Sequence, residues 1–356
     1  MIITIKSIKK SNLFKFIKYY IKMGLTIGSL IQKKQIEFES LRYKKIAIDA
    51  SQMLYQFIAS IRQTDGTLLQ DSSGNITSHL MGLSTRIPKL INKDIKLAFV
   101  FDGKPPRLKL EEQKKRSLIK KEAEKNYETA KEEGNEELML KYSKQSSKVN
   151  LKIVNETKEL IEAFGLPIIQ APSEAEAQCS FMCEKNDIDF VGSTDYDSLL
   201  YNAPKLIRNL TVSQKRRLPS GIYIKTNPEV IELNQVLQDL DIDKNQLLIM
   251  AILTGTDYNP GGVKRIGPKT ALKLIKKYNN FDEIFEKVNP DFNWKEIYAT
   301  FKSMPIIKNY QLKWNKINKG KIYEILVEKH EFNKERVDKM LSSFKQNKNS
   351  SLLNWT

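Results

Sequence analysis

The chain has 356 residues, 59 Lys and Arg against 42 Asp and Glu, a net charge of +17, and only two His and two Cys. Its hydrophobic content of 40% with 28% charged residues excludes a disordered or fibrous chain, and two cysteines exclude a disulfide framework or a four-cysteine zinc site. With only His79 and His330, far apart in sequence, a Ser-His-Asp triad or a His-based metal site is disfavoured, no apolar run of about 18 residues is present to span a membrane, and the basic excess predicts a polyanionic partner, above all nucleic acid.

Residues 1–22 carry six lysines and no acid, and form a basic extension ahead of Met23-Gly24-Leu25, where translation is expected to begin. Lys45–Asp49 is a short buried strand followed by helical spacing over Met53–Ile58. Lys96–Asp102 is a second strand, Leu166–Gln170 a third with a helix opening after Ala171, and Asp189–Ser193 a fourth. Short apolar strands alternating with helices indicate an α/β fold with a mainly parallel central sheet flanked by helices. Between them, residues 104–131 hold ten Lys and Arg, five Glu and few large apolar residues, which predicts a projecting helical insertion with little core face. Asn259–Thr270 is a Gly/Pro-rich hairpin between two helices.

The acids sit where strands end. Asp49 and Asp102 each close a strand, Glu174 and Glu176 follow a third, and Asp195 and Asp197 follow a fourth. Ligands of open α/β sheets bind at the carboxyl ends of the strands. Six carboxylates gathered there repel each other unless cations are bound, and oxygen ligands suit Mg²⁺ or Mn²⁺. Two such ions can hold the attacking and leaving oxygens of a phosphodiester displacement. Asp195 and Asp197 face one side if their segment is extended. Glu174 and Glu176 lie about 200° apart on an ideal helix and share a site only near its start. The plainer alternatives are helix caps, Ser173 with Glu176 matching a capping box. The hairpin can present backbone amides, Lys264, Arg265 and Lys269 to DNA phosphates, and its carbonyls can hold a monovalent cation. Asp257, just ahead of it, adds a seventh acid.

These residues resemble the flap endonuclease family, structure-specific 5′ nucleases with a PIN-like core. The resemblance runs in order through Ile46-Ala-Ile-Asp-Ala-Ser51 with Tyr55-Gln-Phe57, and Thr77–Gly82 with Phe101-Asp-Gly-Lys-Pro-Pro106. It continues through Ala171–Ala177 and Ser193-Thr-Asp-Tyr-Asp197 to Gly255-Thr-Asp-Tyr258 with Ile266–Lys269. It implies two Mg²⁺ ions, replaceable by Mn²⁺, held by Asp49, Asp102, Glu174, Glu176, Asp195, Asp197 and Asp257. It also implies K⁺ at the helix-hairpin-helix, Lys109 and Arg116 polarising the scissile phosphate, and Tyr55, Arg62, Arg86, Lys264, Arg265 and Lys269 contacting DNA. His79 and both cysteines read as structural.

The implied organisation is the extension (1–22), an N-terminal nuclease region (23–127) and an internal nuclease region (128–345), with an arch over 104–150. A sliding-clamp-binding tail follows (346–356), anchored by Asn349, Leu352 and Trp355. The implied activity is removal of 5′ flaps, with 5′-3′ exonuclease action, in DNA replication and base excision repair by a monomer. The cytoplasm is implied, or the nucleus in a eukaryote. Three departures stand out: residues 1–22 precede the Met-Gly with which family members begin, Arg265 occupies a position the family usually gives to glycine, and the tail has Asn349 for Gln and Thr356 for an aromatic. The alternatives are a related 5′ nuclease cutting bubbles or four-way junctions, and a non-catalytic DNA- or clamp-binding scaffold.

Overall fold

The computed structural model describes residues 26–344 apart from 64, 146–148, 213–214 and 218–222. The basic extension, Met23, and Asn349, Leu352 and Trp355 of the tail therefore lie outside the described residues.

Nine strands are described: β1 (Lys34–Gln35), β2 (Lys45–Asp49), β3 (Lys96–Phe101), β4 (Ile168–Gln170), β5 (Phe190–Gly192), β6 (Lys205–Arg208), β7 (Lys215–Arg217), β8 (Tyr223–Lys225) and β9 (Glu229–Glu232). Seven form one sheet in the order β1-β9-β6-β5-β2-β3-β4, and β7 and β8 pair separately. β2 to β6 are mutually parallel where they pair, while β9 and β1 run antiparallel at one edge. The sheet is thus mainly parallel, as the alternating pattern predicts. β1, β6, β7, β8 and β9 are not among the expected strands, because short strands such as Lys205–Arg208 carry no long apolar run.

The described α-helices are α1 (Ala50–Ser60), α2 (Ser78–Ile91), α3 (Arg107–Glu132), α4 (Glu136–Gln145), α5 (Leu151–Ala163), α6 (Ala175–Glu184) and α7 (Asp197–Leu200). They continue with α8 (Leu233–Leu240), α9 (Lys244–Thr254), α10 (Pro268–Lys277), α11 (Phe281–Val288), α12 (Trp294–Lys302), α13 (Lys319–Tyr323) and α14 (Lys334–Ser343). Strand alternation sorts the core into two faces. Ile46, Ile48, Leu97, Phe99 and Phe101 point one way, against Leu54 and Phe57 of α1, Leu80 and Leu83 of α2, and Leu160 of α5. Ala47, Ala98, Val100 and Val191 point the other way and pack on Ala175, Cys179, Met182 and Cys183 of α6. Small residues on both partners bring α6 close to the sheet. Both cysteines are buried there as free thiols. A third cluster joins α9, α10, α11 and α12 to Leu206 and Ile231.

The topology creates the crevice. From β2 the chain moves through β3 to β4 on one side, then returns to β5 on the other. Connections diverging from adjacent strands leave an opening at their carboxyl ends. Over it stands α3, 26 residues and therefore about 39 Å long. Ala123, Ala130 and Met139 are among the few buried apolar groups of α3 and α4, in agreement with a projecting insertion.

Candidate active site

Asp49 ends β2 and also begins α1: it is the helix N-cap, and its Oδ1 accepts from Gln52 N at 2.9 Å. The capping alternative and the site role therefore coexist in one carboxylate, because the second oxygen remains for another partner. Asp102 follows β3, and its Oδ1 accepts from Ala175 N at 2.7 Å, capping α6 from a neighbouring loop. Gly103 makes that approach possible. Its N–H donates to Ser173 O at 2.6 Å, and a Cβ there would lie inside van der Waals contact of Ala171 O and the Pro172 backbone.

The alternative of a capping box between Ser173 and Glu176 does not hold. Glu174 is the N-cap of α6 in extended conformation, Ser173 Oγ donates to Lys104 O at 2.9 Å, and Glu176 lies within 3.1 Å of Ser193 Oγ. Glu174 sits outside the helix, so the 200° separation of an ideal helix does not apply and both glutamates reach one region. A second correction concerns Asp195 and Asp197. Their segment is not extended: Tyr196 has helical φ and ψ, and Asp197 opens the short helix α7. The turn, not strand alternation, brings them together.

The acids crowd one another. Burial first, then repulsion from Asp102, pushes the Asp49 carboxyl well above the usual range. Burial followed by Asp197, Asp49 and Asp195 raises Glu176. Burial followed by Asp195, Asp257 and Glu174 raises Asp197, whose Oδ1 is buried without a hydrogen-bond partner. Asp257, from the turn after α9, completes the set. Lys109 Nζ stands 2.5 Å from Glu174 Oε2 and 3.5 Å from Asp257 Oδ2. Burial lowers the lysine's pKa, but Glu174, Asp257 and Asp102 more than offset this and hold it protonated. The base of α3 is also tied down by Arg107, paired with Glu296 of α12. Arg116 lies two turns beyond Lys109 along α3, and its side chain is outside those described.

Tyr55 is 45% exposed on α1, so its ring is not part of the core. Arg62 donates to Gly66 O at 2.7 Å within its own loop. Arg86 donates to Thr211 O and packs 5.0 Å over the Phe57 ring, so its guanidinium already ties α2 to the segment after β6. In the hairpin, Asn259 Oδ1 accepts from Thr256 N and Oγ1, and its Nδ2 donates to Ile252 O, fixing the turn from α9. Arg265 adopts φ +65°, so the glycine-like backbone is kept with a charged residue in it. Lys264, Arg265 and Lys269 are all exposed.

Sequence reasoning missed several supporting residues. Gln52 bridges to Ser193 and Thr194. Arg208 of β6 donates to Thr194 O at 3.0 Å and to the Tyr196 hydroxyl at 2.7 Å. The Tyr201 and Tyr258 hydroxyls meet at 2.7 Å, joining α7 to the hairpin. Their contacts span 12 to 142 positions, and no local pattern marks them. The histidines are elsewhere: buried His79 lies 3.1 Å from Glu156 Oε2, and His330 bonds Asp71 at 3.0 Å. They take no part in the carboxylate site.

Residues 23–123 match the XPG N-terminal domain and residues 165–257 the XPG I-region. Flap endonuclease 1 of Thermococcus onnurineus is 44% identical over 338 residues, covering 94% of this chain and 99% of that protein. The chain belongs to the flap endonuclease family. Another relative within it, flap endonuclease 1 of Staphylothermus marinus, is 45% identical over 88% of this chain and 92% of its own length. Among solved structures, flap endonuclease-1 from Methanococcus jannaschii superposes with a TM-score of 0.72 at 40% identity, covering 90% of this chain and 97% of that one. The catalytic core of Rad2 in complex with DNA substrate shares the fold, with a TM-score of 0.67 at 22% identity over 90% of this chain and 99% of that one. Family membership makes this α/β protein a nuclease.

Proposed function

We propose that this protein is a structure-specific 5′ flap endonuclease, with 5′-3′ exonuclease action, that hydrolyses one phosphodiester at the base of a flap in DNA replication and base excision repair. The observation that carries this reading is the meeting of acids from five separate turns at the foot of α3, with Lys109 among them. The donor set is all oxygen, and the unpartnered buried Oδ1 of Asp197 suits a hard divalent cation. Asp49, Asp102, Glu174, Glu176, Asp195, Asp197 and Asp257 would hold two Mg²⁺ ions, with Mn²⁺ able to replace them. When bound, the pair supplies charge stabilisation at the attacking and leaving oxygens.

The chain's own side chains do the rest. Lys109 places a fixed cation at the edge of the carboxylates, where it would polarise a phosphoryl oxygen together with Arg116. The half-exposed ring of Tyr55 offers a stacking face for a base. Arg62 and Arg86, each also bonded to a loop carbonyl, would contact DNA, while Lys264, Arg265, Lys269 and the start of α10 would receive duplex phosphates without reading sequence. The hairpin carbonyls would hold K⁺, and α3 with α4 would frame the path of the free 5′ end. The tail, through Asn349, Leu352 and Trp355, would engage a sliding clamp, and the enzyme would act as a monomer in the cytoplasm. Among the described residues no helix is long and apolar enough to cross a membrane.

The test is cleavage of four DNA substrates (5′ flap, bubble, four-way junction and linear duplex) with Mg²⁺ and with EDTA. Preferential cutting of the flap, abolished by EDTA, is expected. Preference for the bubble or junction, or no cleavage of any branched DNA, overturns the assignment. Titration of a peptide of residues 340–356 against the clamp checks the tail, and no binding at tens of micromolar removes it.

A further inference from the structure

The carboxylates arrive on separate turns, and one neutral side chain joins two of them. Gln52 is the third residue of α1. Its backbone N–H holds Asp49 Oδ1 at 2.9 Å. Its side chain crosses from the end of β2 to the end of β5, where Oε1 accepts from Thr194 N and from Ser193 Oγ, each at 2.6 Å. A backbone N–H can only donate, so the oxygen end of the amide must face this turn. Ser193 Oγ in turn accepts from Asp195 N at 3.1 Å and lies 3.1 Å from Glu176 Oε1. The same residue therefore touches the Asp49 cap directly and reaches Asp195 and Glu176 through one hydroxyl. β2 and β5 pair with Ile48 opposite Gly192, but their exits diverge. Among the described residues the β2–β5 ladder ends at that pair, and the Gln52 amide links the two turns beyond it.

We propose that Gln52 is a positioning residue: its amide oxygen sets the turn bearing Asp195 and Asp197 against Asp49, so that carboxylates from two strand ends bind divalent cations as one site. The inference rests on the reading of these acids as a metal centre. Groups that orient metal ligands typically contribute about 10- to 100-fold in metal affinity or activity.

The test measures Mn²⁺ binding to the full chain without DNA, by calorimetry and by the electron paramagnetic resonance of free Mn²⁺, alongside melting in EDTA. Gln52→Met keeps length but removes the acceptor. Its Mn²⁺ affinity should fall about tenfold or more, with the EDTA melting temperature unchanged within a few degrees. Ser193→Ala should weaken binding too, and the double variant should lose less than the product of the two, because both cut one bridge. Asp197→Asn serves as reference. If it weakens Mn²⁺ binding and Gln52→Met does not, the positioning role is overturned. A loss of EDTA stability in Gln52→Met that accounts for its loss of affinity also overturns it, since the amide would then serve the fold. If Asp197→Asn binds Mn²⁺ normally, the metal reading itself fails.

Discussion

Asp197 shows how a single side chain is committed to chemistry. It is 8% exposed, surrounded by other acids, and has an oxygen with no hydrogen-bond partner, an arrangement that costs stability unless a cation completes it. Asp197→Asn removes the charge but keeps the shape. Flap cleavage should fall at least about 100-fold, while flap-DNA affinity measured without turnover stays within a few-fold; near-normal turnover would contradict the assignment. Tyr55 is the opposite case, an exposed ring on a rigid helix. Tyr55→Ala should lose about 1–3 kcal/mol of binding, read mainly as a raised KM, and Tyr55→Phe should retain it. Loss of activity in Tyr55→Phe would show that the hydroxyl, not the stacking face, matters.

Elements act here through their ends. α6 begins with two glutamates and is capped by Asp102 from the neighbouring turn, so three acids meet where backbone N–H groups and the helix dipole favour negative charge. The junction depends on Gly103, which lets two loop backbones come within hydrogen-bonding distance. Gly103→Ala should force Asp102 and Glu174 apart and cut cleavage at least about tenfold, with a measurable loss of Mn²⁺ affinity. A variant with normal affinity and rate would show that the turn tolerates the added carbon. The hairpin uses strain differently. Arg265 accepts a left-handed backbone, at a cost of roughly 1 kcal/mol, and places an exposed cation where glycine would carry none.

At the scale of the whole molecule, charge is unevenly spread. Residues 1–22 contribute +6, and residues 104–131 a further +5 from ten basic and five acidic side chains. The basic excess is thus not a uniform coat, and the total conceals a concentrated negative site of seven acids. Burial and mutual repulsion raise Asp49, Glu176 and Asp197. Between the unfolded carboxylate range near pH 4 and these raised values, the folded chain binds protons that the unfolded chain does not. Their contribution to stability is therefore present in acid and is lost as pH rises through the raised folded values. In EDTA the melting temperature should rise as pH is lowered from 8 toward 6. Mg²⁺, binding the same oxygens in the folded state, should raise melting more at pH 8 than at pH 6. An equal Mg²⁺ effect at both pH values would show that the acids do not titrate as a group. His79 opposes the trend, since burial lowers its pKa and folding keeps it neutral.

The sequence by itself determined the strand–helix alternation, the acids at strand ends, the core-poor basic insertion and the hairpin. Each follows from periodicity or composition within a few residues. It also carried the family, because five short motifs stand in the right order. Tertiary structure decided the rest. The turn at Tyr196, the extended Glu174 and the failure of Ser173 to pair with Glu176 depend on neighbouring loops competing for the same donors. Asp257 and Lys109 are 148 positions apart, and only the packing of α3 and α9 against one sheet brings them within 3.5 Å. Residue type reveals which groups can bind a cation; the strand order, with β5 returning to the far side of β2, decides that they do so together.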